Sequence, residues 1–105
     1  MIGNASHFFV HDNTAEGQFE LRDRRVDRED VVSFATYKRH GNTVVVPHVQ
    51  TDTRRRGEGL ADQLMAGLLD QIEAASRFIV PLCPFAAQRT FDRAERSHLL
   101  APEQN

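Results

Sequence analysis

The chain has 105 residues, with 13 Lys and Arg against 15 Asp and Glu, one cysteine and no tryptophan. This length predicts one domain over residues 1–105, and a formal net charge of −2 argues against a general nucleic-acid binder. A single cysteine excludes an internal disulfide and completes no zinc-ligand set. No apolar run approaches the roughly 18 residues of a membrane span, so we expect a cytoplasmic domain. From the cysteine count we also expect no metal.

The first half of the chain predicts four antiparallel strands, because short apolar or alternating segments are separated by turn residues. They cover residues 7–10, closed by a turn at Asp12-Asn13, and residues 19–21, 31–39 and 43–50. Alternation in the third strand places Val31, Ser33, Ala35 and Tyr37 on one face and Val32, Phe34 and Thr36 on the other. Pro47 cannot donate to a ladder, so it predicts an edge, a bulge or a strand that separates from its neighbour.

A charged segment lies between the second and third predicted strands. Residues 22–30 hold four arginines against four acidic residues, so the charges cancel. This composition favours a solvated connection over a phosphate-binding patch.

The second half of the chain changes to a helical pattern. Leu60, Leu64, Leu68 and Ile72 recur every four residues and predict an amphipathic helix that ends near residue 75. A short buried strand at 78–80 and a second helix over about 85–96 follow. Because the fourth and fifth strands are joined through a helix, they should be parallel. The predicted fold class is α+β, a mixed, mostly antiparallel five-stranded sheet with two main helices.

The strongest chemical signal is the segment Arg54-x-x-Gly57-x-Gly59 between a strand and that helix. Glycine leaves room for a close ligand, and a helix N-terminus offers unpaired N–H groups, so this turn suits a phosphate or pyrophosphate. The predicted binding segment is Arg54, Arg55, Arg56, Gly57, Glu58, Gly59 and Leu60, with the arginines at its rim. The alternative without a ligand is an exposed basic helix start with ordinary turn glycines.

Further motifs occur in a fixed order along the chain: Phe19-Glu20, Ala35-Thr36-Tyr37, His48, Arg56-Gly57-Glu58-Gly59 and Cys83-Pro84-Phe85. Over about residues 8–100 this series resembles the small single-domain members of the GNAT superfamily of N-acetyltransferases. The resemblance implies acetyl-CoA as co-substrate, with its pyrophosphate on the glycine turn. It also implies an amine acceptor, on a small molecule or a protein. The family often has glutamate where Gln50 stands and a tyrosine on the last helix, where this chain reads Arg93-Ala94-Glu95-Arg96.

Two residues are candidates for catalysis of acetyl transfer. His48 lies on the fourth strand, and histidine changes charge near neutral pH, which suits a base for the amine. Cys83 follows the fifth strand at a helix start, where it could accept the acyl group or protonate the CoA thiolate. The structural alternative for His48 is a half-buried strand histidine bonded to a carbonyl group. For Cys83 it is a small buried apolar side chain.

Two other functions compete with the N-acetyltransferase. One is a non-catalytic acyl-CoA-binding or protein-interaction module, which the missing glutamate and tyrosine favour. The other is a nucleic-acid binder that uses the two arginine-rich segments, against which the flanking acids argue.

Overall fold

The computed structural model describes residues 7–25, 31–92 and 98–100. Its elements are β1 (Phe8–Asn13), β2 (Gln18–Asp23), β3 (Val31–His40), β4 (Thr43–Thr51), a 3₁₀ helix (Thr53–Arg55), α1 (Leu60–Ala74), β5 (Phe78–Pro81) and α2 (Pro84–Asp92). The α+β prediction is confirmed. The predicted end of the last helix, at 93–96, lies outside the described residues. Neither α1 nor α2 is long and apolar enough to cross a membrane.

The strands form one sheet in chain order, β1-β2-β3-β4-β5. The first four pair antiparallel and β4 pairs parallel with β5, as predicted. The predicted turn at Asp12-Asn13 is wrong, because β1 continues through both residues. The turn begins after Asn13, whose side-chain Oδ1 accepts the N–H of Glu16 at 3.2 Å and so supports a tight connection to β2.

Helix α1 buries the apolar stripe that its sequence predicts. Its buried residues are Leu60, Leu64, Met65, Leu68, Leu69 and Ile72. They join one core with Phe19 and Leu21 of β2 and Val44 and Val46 of β4. Burial of this apolar stripe provides the hydrophobic stabilisation that holds α1 against the sheet.

The alternation predicted for β3 fails at its first two residues. Val31 is 40% exposed, whereas Val32 and Ser33 are both buried. The register explains this, because Leu21 pairs with Ser33 but Arg22 pairs with Val31. Val32 is therefore the extra residue of a β-bulge, which turns its side chain toward the core.

The predicted solvated connection is also wrong where it begins, since Arg22 and Asp23 belong to β2. Asp23 is 2% exposed and Glu20, on the other face of β2, is 3% exposed. Burial raises the pKa of Glu20, but hydrogen bonds from Gln18, Arg22 and Asn13 outweigh it and lower that pKa overall. Pairing with arginines thus offsets the free-energy cost of burying these two carboxylates. Residues 26–30 lie outside the described residues.

Gly67 lets β1 approach the middle of α1. A Cβ built at this position would overlap Cγ2 of Val10 and lie 2.9 Å from the Cβ of Val10. Alanine normally stabilises a helix interior by about 1 kcal/mol relative to glycine, but overpacking costs roughly 1–3 kcal/mol. We expect Gly67→Ala to lower the free energy of unfolding, measured by urea titration. In the Val10→Ala background, which removes Cγ2 but keeps the Cβ, the same substitution should cost less, and an equal loss in both backgrounds would contradict the contact.

Candidate functional site

The sheet opens between β4 and β5. Their parallel pairing ends at Val46 and Pro81. Immediately afterwards the N–H groups of Leu82 and Cys83 both donate to the carbonyl oxygen of Val46, at 2.9 and 3.2 Å. Within the described residues, β4 continues on this side to Thr51 without a neighbouring strand. The predicted separation of the two strands is confirmed, and it exposes one edge of β4.

A β-bulge accompanies this separation. Thr36 pairs with His48 and Lys38 pairs with Val45. Two residues of β4, Val46 and Pro47, therefore oppose a single residue of β3. The bulge predicted at Pro47 is present, and a bulge bends the strand that carries the extra residue.

A cavity of about 530 Å³ lies at the opening. Three parts of the chain line it: the end of β4, the glycine turn with the start of α1, and the start of α2. The lining residues are His48, Val49, Gln50, Thr51, Arg55, Arg56, Gly57, Gly59, Leu60, Ala61, Asp62 and Phe85. The cavity thus brings together the predicted turn and one of the two catalytic candidates.

The glycine turn presents open space and free donors to this cavity. Gly57 and Gly59 have φ angles of +88° and +72°, and a Cβ at either would meet nothing within 4 Å. Gly59 is the N-cap of α1, and no side chain among the residues that the structure describes caps this helix. The N–H groups of Leu60, Ala61 and Asp62 therefore lack intrahelical acceptors. This arrangement fits a phosphate or pyrophosphate group.

The three arginines of the turn differ in their surroundings. Arg54 donates through Nε and Nη2 to Asp52, at 3.2 and 2.9 Å, and its side chain does not line the cavity. Arg56 is exposed and lines it. Throughout the described part of the chain, no hydrogen bond or ion pair holds the Arg56 side chain.

Arg55 is not at the rim, because its side chain is only 23% exposed. Its Nη1 donates to Asp23 at 3.3 Å, and its Nε and Nη2 donate to Glu58 at 3.3 and 3.1 Å. Asp23 also accepts from Arg25, and these bonds hold the pKa of Asp23 well below its usual value despite its burial. The sequence did not indicate the contact between Asp23 and Arg55, because the two residues are 32 positions apart and no local pattern links them.

Arg89 of α2 contacts two further residues of the cavity wall, Asp62 and Phe85. The carboxylate of Asp62, in the first turn of α1, forms an ion pair with Arg89 of α2. The Arg89 guanidinium lies 4.6 Å from the ring centroid of Phe85. Pairing offsets the negative charge of Asp62 beside the helix N-terminus. The motif Cys83-Pro84-Phe85 could have indicated Phe85, whereas the pair of Asp62 with Arg89 joins residues that are distant in sequence.

His48 is exposed on the face of the sheet opposite α1. It pairs with Thr36, which neighbours the buried Ala35 and so points away from the core. Its Nε2 lies 3.1 Å from Oε1 of Gln50. With the amide oxygen as the acceptor, Nε2 is the donor of this bond.

Cys83 directly precedes Pro84, the first residue of α2, as predicted. It is partly buried and packs against the core, and it is not among the residues that line the cavity. Its N–H is bonded to Val46, two residues before His48. The two catalytic candidates are therefore connected through the backbone at the point where the strands separate.

Comparison with known proteins defines the class of this protein. The family model described as GCN5-related N-acetyl-transferase matches residues 18–99. The fold also matches the NMR solution structure of a GCN5-like protein from Staphylococcus aureus, proposed to be an N-acetyltransferase. The TM-score is 0.65 at 15% identity, over 96% of this chain and 95% of that one. No curated protein matches significantly. The chain belongs to the GCN5-related N-acetyltransferase family, within the GNAT superfamily.

The buried Asp23 should make stability depend on pH. An unfolded aspartate titrates near pH 4, and the folded pKa is lower, so the stabilisation is complete above about pH 4 and is lost as the pH falls below it. We expect Asp23→Asn to be less stable than the wild type at pH 7, by urea titration, and the difference to shrink from pH 4 toward pH 2. Glu16→Gln, which removes an exposed carboxylate of the β1–β2 turn, is the control. An equal pH dependence in both variants would assign the effect to net charge.

Proposed function

We propose that this chain transfers the acetyl group of acetyl-CoA to an amine. The observation that carries the proposal is the cavity where β4 leaves β5, with Gly57 and Gly59 open to it at an uncapped helix start. Family membership supports acetyl transfer in general. The geometry supports the finer statement, because an anion site adjoins an unpaired strand edge.

The residues around the cavity suit the polar parts of coenzyme A. The pyrophosphate would be held by the N–H groups of Leu60, Ala61 and Asp62, and Arg55 and Arg56 add positive charge beside them. Beyond Val46 the edge of β4 has no pairing with β5. Its backbone can form hydrogen bonds with the amide groups of a pantetheine arm.

His48 and Cys83 supply the proton transfers. Acetyl-CoA provides a thioester-activated acyl group, and an amine attacking it must lose a proton. His48 accepts this proton, directly or through a water molecule, and the neutral Gln50 beside it leaves that task to the imidazole. Cys83, at the N-terminus of α2, protonates the departing sulfur as the C–N bond forms and the C–S bond breaks. The alternative is that Cys83 first accepts the acyl group itself.

A non-catalytic acyl-CoA-binding module is the second candidate function. The observation that favours it is Gln50, an amide where many family members have a carboxylate. Both functions require acetyl-CoA binding, and only the enzyme turns it over. The acceptor of the enzyme would be an amine of a small molecule or of a protein, reaching the exposed His48 from the face opposite α1.

Binding of acetyl-CoA should raise the melting temperature of the wild type, because a ligand held only by the folded state stabilises it. Gly59→Asp should weaken this binding at least roughly tenfold, a loss of ~1.4 kcal/mol, since a carboxylate would enter the anion site. Gly41→Asp is a matched control: Gly41 also has a positive φ, of +62°, and open space around it, but lies in the β3–β4 turn. Equal losses of affinity in both variants, by calorimetry, would contradict the site.

Substitution of the catalytic candidates should separate chemistry from binding. We expect Cys83→Ser and His48→Gln to retain acetyl-CoA binding and to lower kcat by roughly 10²-fold or more with an amine panel. Cys83 is the one cysteine of the chain, so alkylation reports on it alone, and acetyl-CoA should protect it. An acetylated Cys83 in the mass spectrum before amine is added would indicate the two-step route. Wild-type binding without any turnover would support the non-catalytic module.

A further inference from the structure

We propose that Glu58 competes with the bound phosphate group for the guanidinium of Arg55, so that binding exchanges one anion for another on the same arginine. This inference deepens the proposed function and rests on it where the ligand is acetyl-CoA. Glu58 is a residue of the glycine turn that does not itself line the cavity, although its partner Arg55 does.

The contact between Arg55 and Glu58 has the form of an arginine–phosphate contact. Nε and Nη2 of Arg55 each donate to a different oxygen of Glu58, at 3.3 and 3.1 Å. Two parallel N–H···O bonds are also how arginine recognises a phosphate. The carboxylate therefore stands where two phosphoryl oxygens would bind, and both cannot use this edge of the guanidinium at once.

Arg55 has two carboxylate partners, and their burial decides which one can leave. Asp23 is 2% exposed and accepts three hydrogen bonds from Arg25, two from its side chain and one from its backbone. The side chain of Glu58 is 46% exposed and lies between Gly57 and Gly59. Moving Asp23 would leave a buried charge without its partner, at a large cost in free energy. Glu58 can instead turn its side chain into water at a small cost in free energy.

The buried contacts hold the arginine while Glu58 moves. Nη1 of Arg55 stays bonded to Asp23 at 3.3 Å, and its guanidinium carbon lies 5.6 Å from the ring centroid of Phe8. These contacts leave Nε and Nη2 oriented for the incoming anion. Asp23 is thus a positioning residue, and Glu58 lowers the affinity of the site that Arg55 helps to form.

The test compares Glu58→Gln with wild type by calorimetry, using acetyl-CoA, inorganic pyrophosphate and acetyl-pantetheine, which has no phosphate. We expect Glu58→Gln to bind acetyl-CoA and pyrophosphate roughly twofold to fivefold more tightly, the range for a partly exposed ion pair that no longer has to be broken. Acetyl-pantetheine affinity should not change. Glu16→Gln, which removes an equal charge from the exposed β1–β2 turn, should change none of the three.

A second background separates competition from general repulsion. Arg55→Lys keeps the charge but removes the planar guanidinium, so Glu58→Gln should there have no effect on affinity. An equal gain in the Arg55→Lys background would overturn the exchange, as would unchanged or weaker pyrophosphate binding by Glu58→Gln. If pyrophosphate binds more tightly to Glu58→Gln while acetyl-CoA does not bind the wild type, the exchange stands and the proposed acetyltransferase fails.

Discussion

The rest of the site depends on the end of the hydrogen-bonded ladder between β4 and β5. Two prolines, Pro47 and Pro81, lie at this level of the sheet, and neither has an N–H to donate. The carbonyl of Val46 takes the next two N–H groups of the chain after β5, which turns that chain away into α2. Because β4 runs on without this neighbour, a cleft forms inside the sheet, with the start of α1 beside it.

Local pairing of charges makes the proposed anion site compatible with an acidic chain. The net charge is −2, and two carboxylates, Asp62 and Glu58, lie at or next to the cavity. Each is paired with an arginine, Arg89 and Arg55 respectively. Pairing weakens the repulsion that these carboxylates would exert on a phosphate. The N–H groups of the helix start, which no side chain of the described residues caps, would then act on a bound anion without a strong opposing field. Net charge is therefore a poor guide to such a site.

The helix and the open turn before it were predictable from neighbouring residues, and the side-chain and register pairs between distant residues were not. Leucines at every fourth position are sufficient to predict α1, and the two glycines before it predict its open N-terminus. The β3 bulge was missed because the alternation of Val31 and Val32 continues smoothly in sequence, and only the register with β2 reveals the extra residue. The burial of Asp23 was missed for the same reason, since Arg55 reaches it from another part of the chain.

The backbone, rather than a side-chain contact, relates the two catalytic candidates. His48 follows Val46 by two residues on β4, and Cys83 donates its N–H to the Val46 carbonyl. Neither side chain needs the other to hold its position, so each can be replaced without moving its partner's backbone. The same carbonyl also sets where the strands separate, and hence where the cavity begins. A ligand that fits the cavity therefore meets His48 in the cavity wall, and the backbone of Cys83 is anchored at the point where that cavity begins.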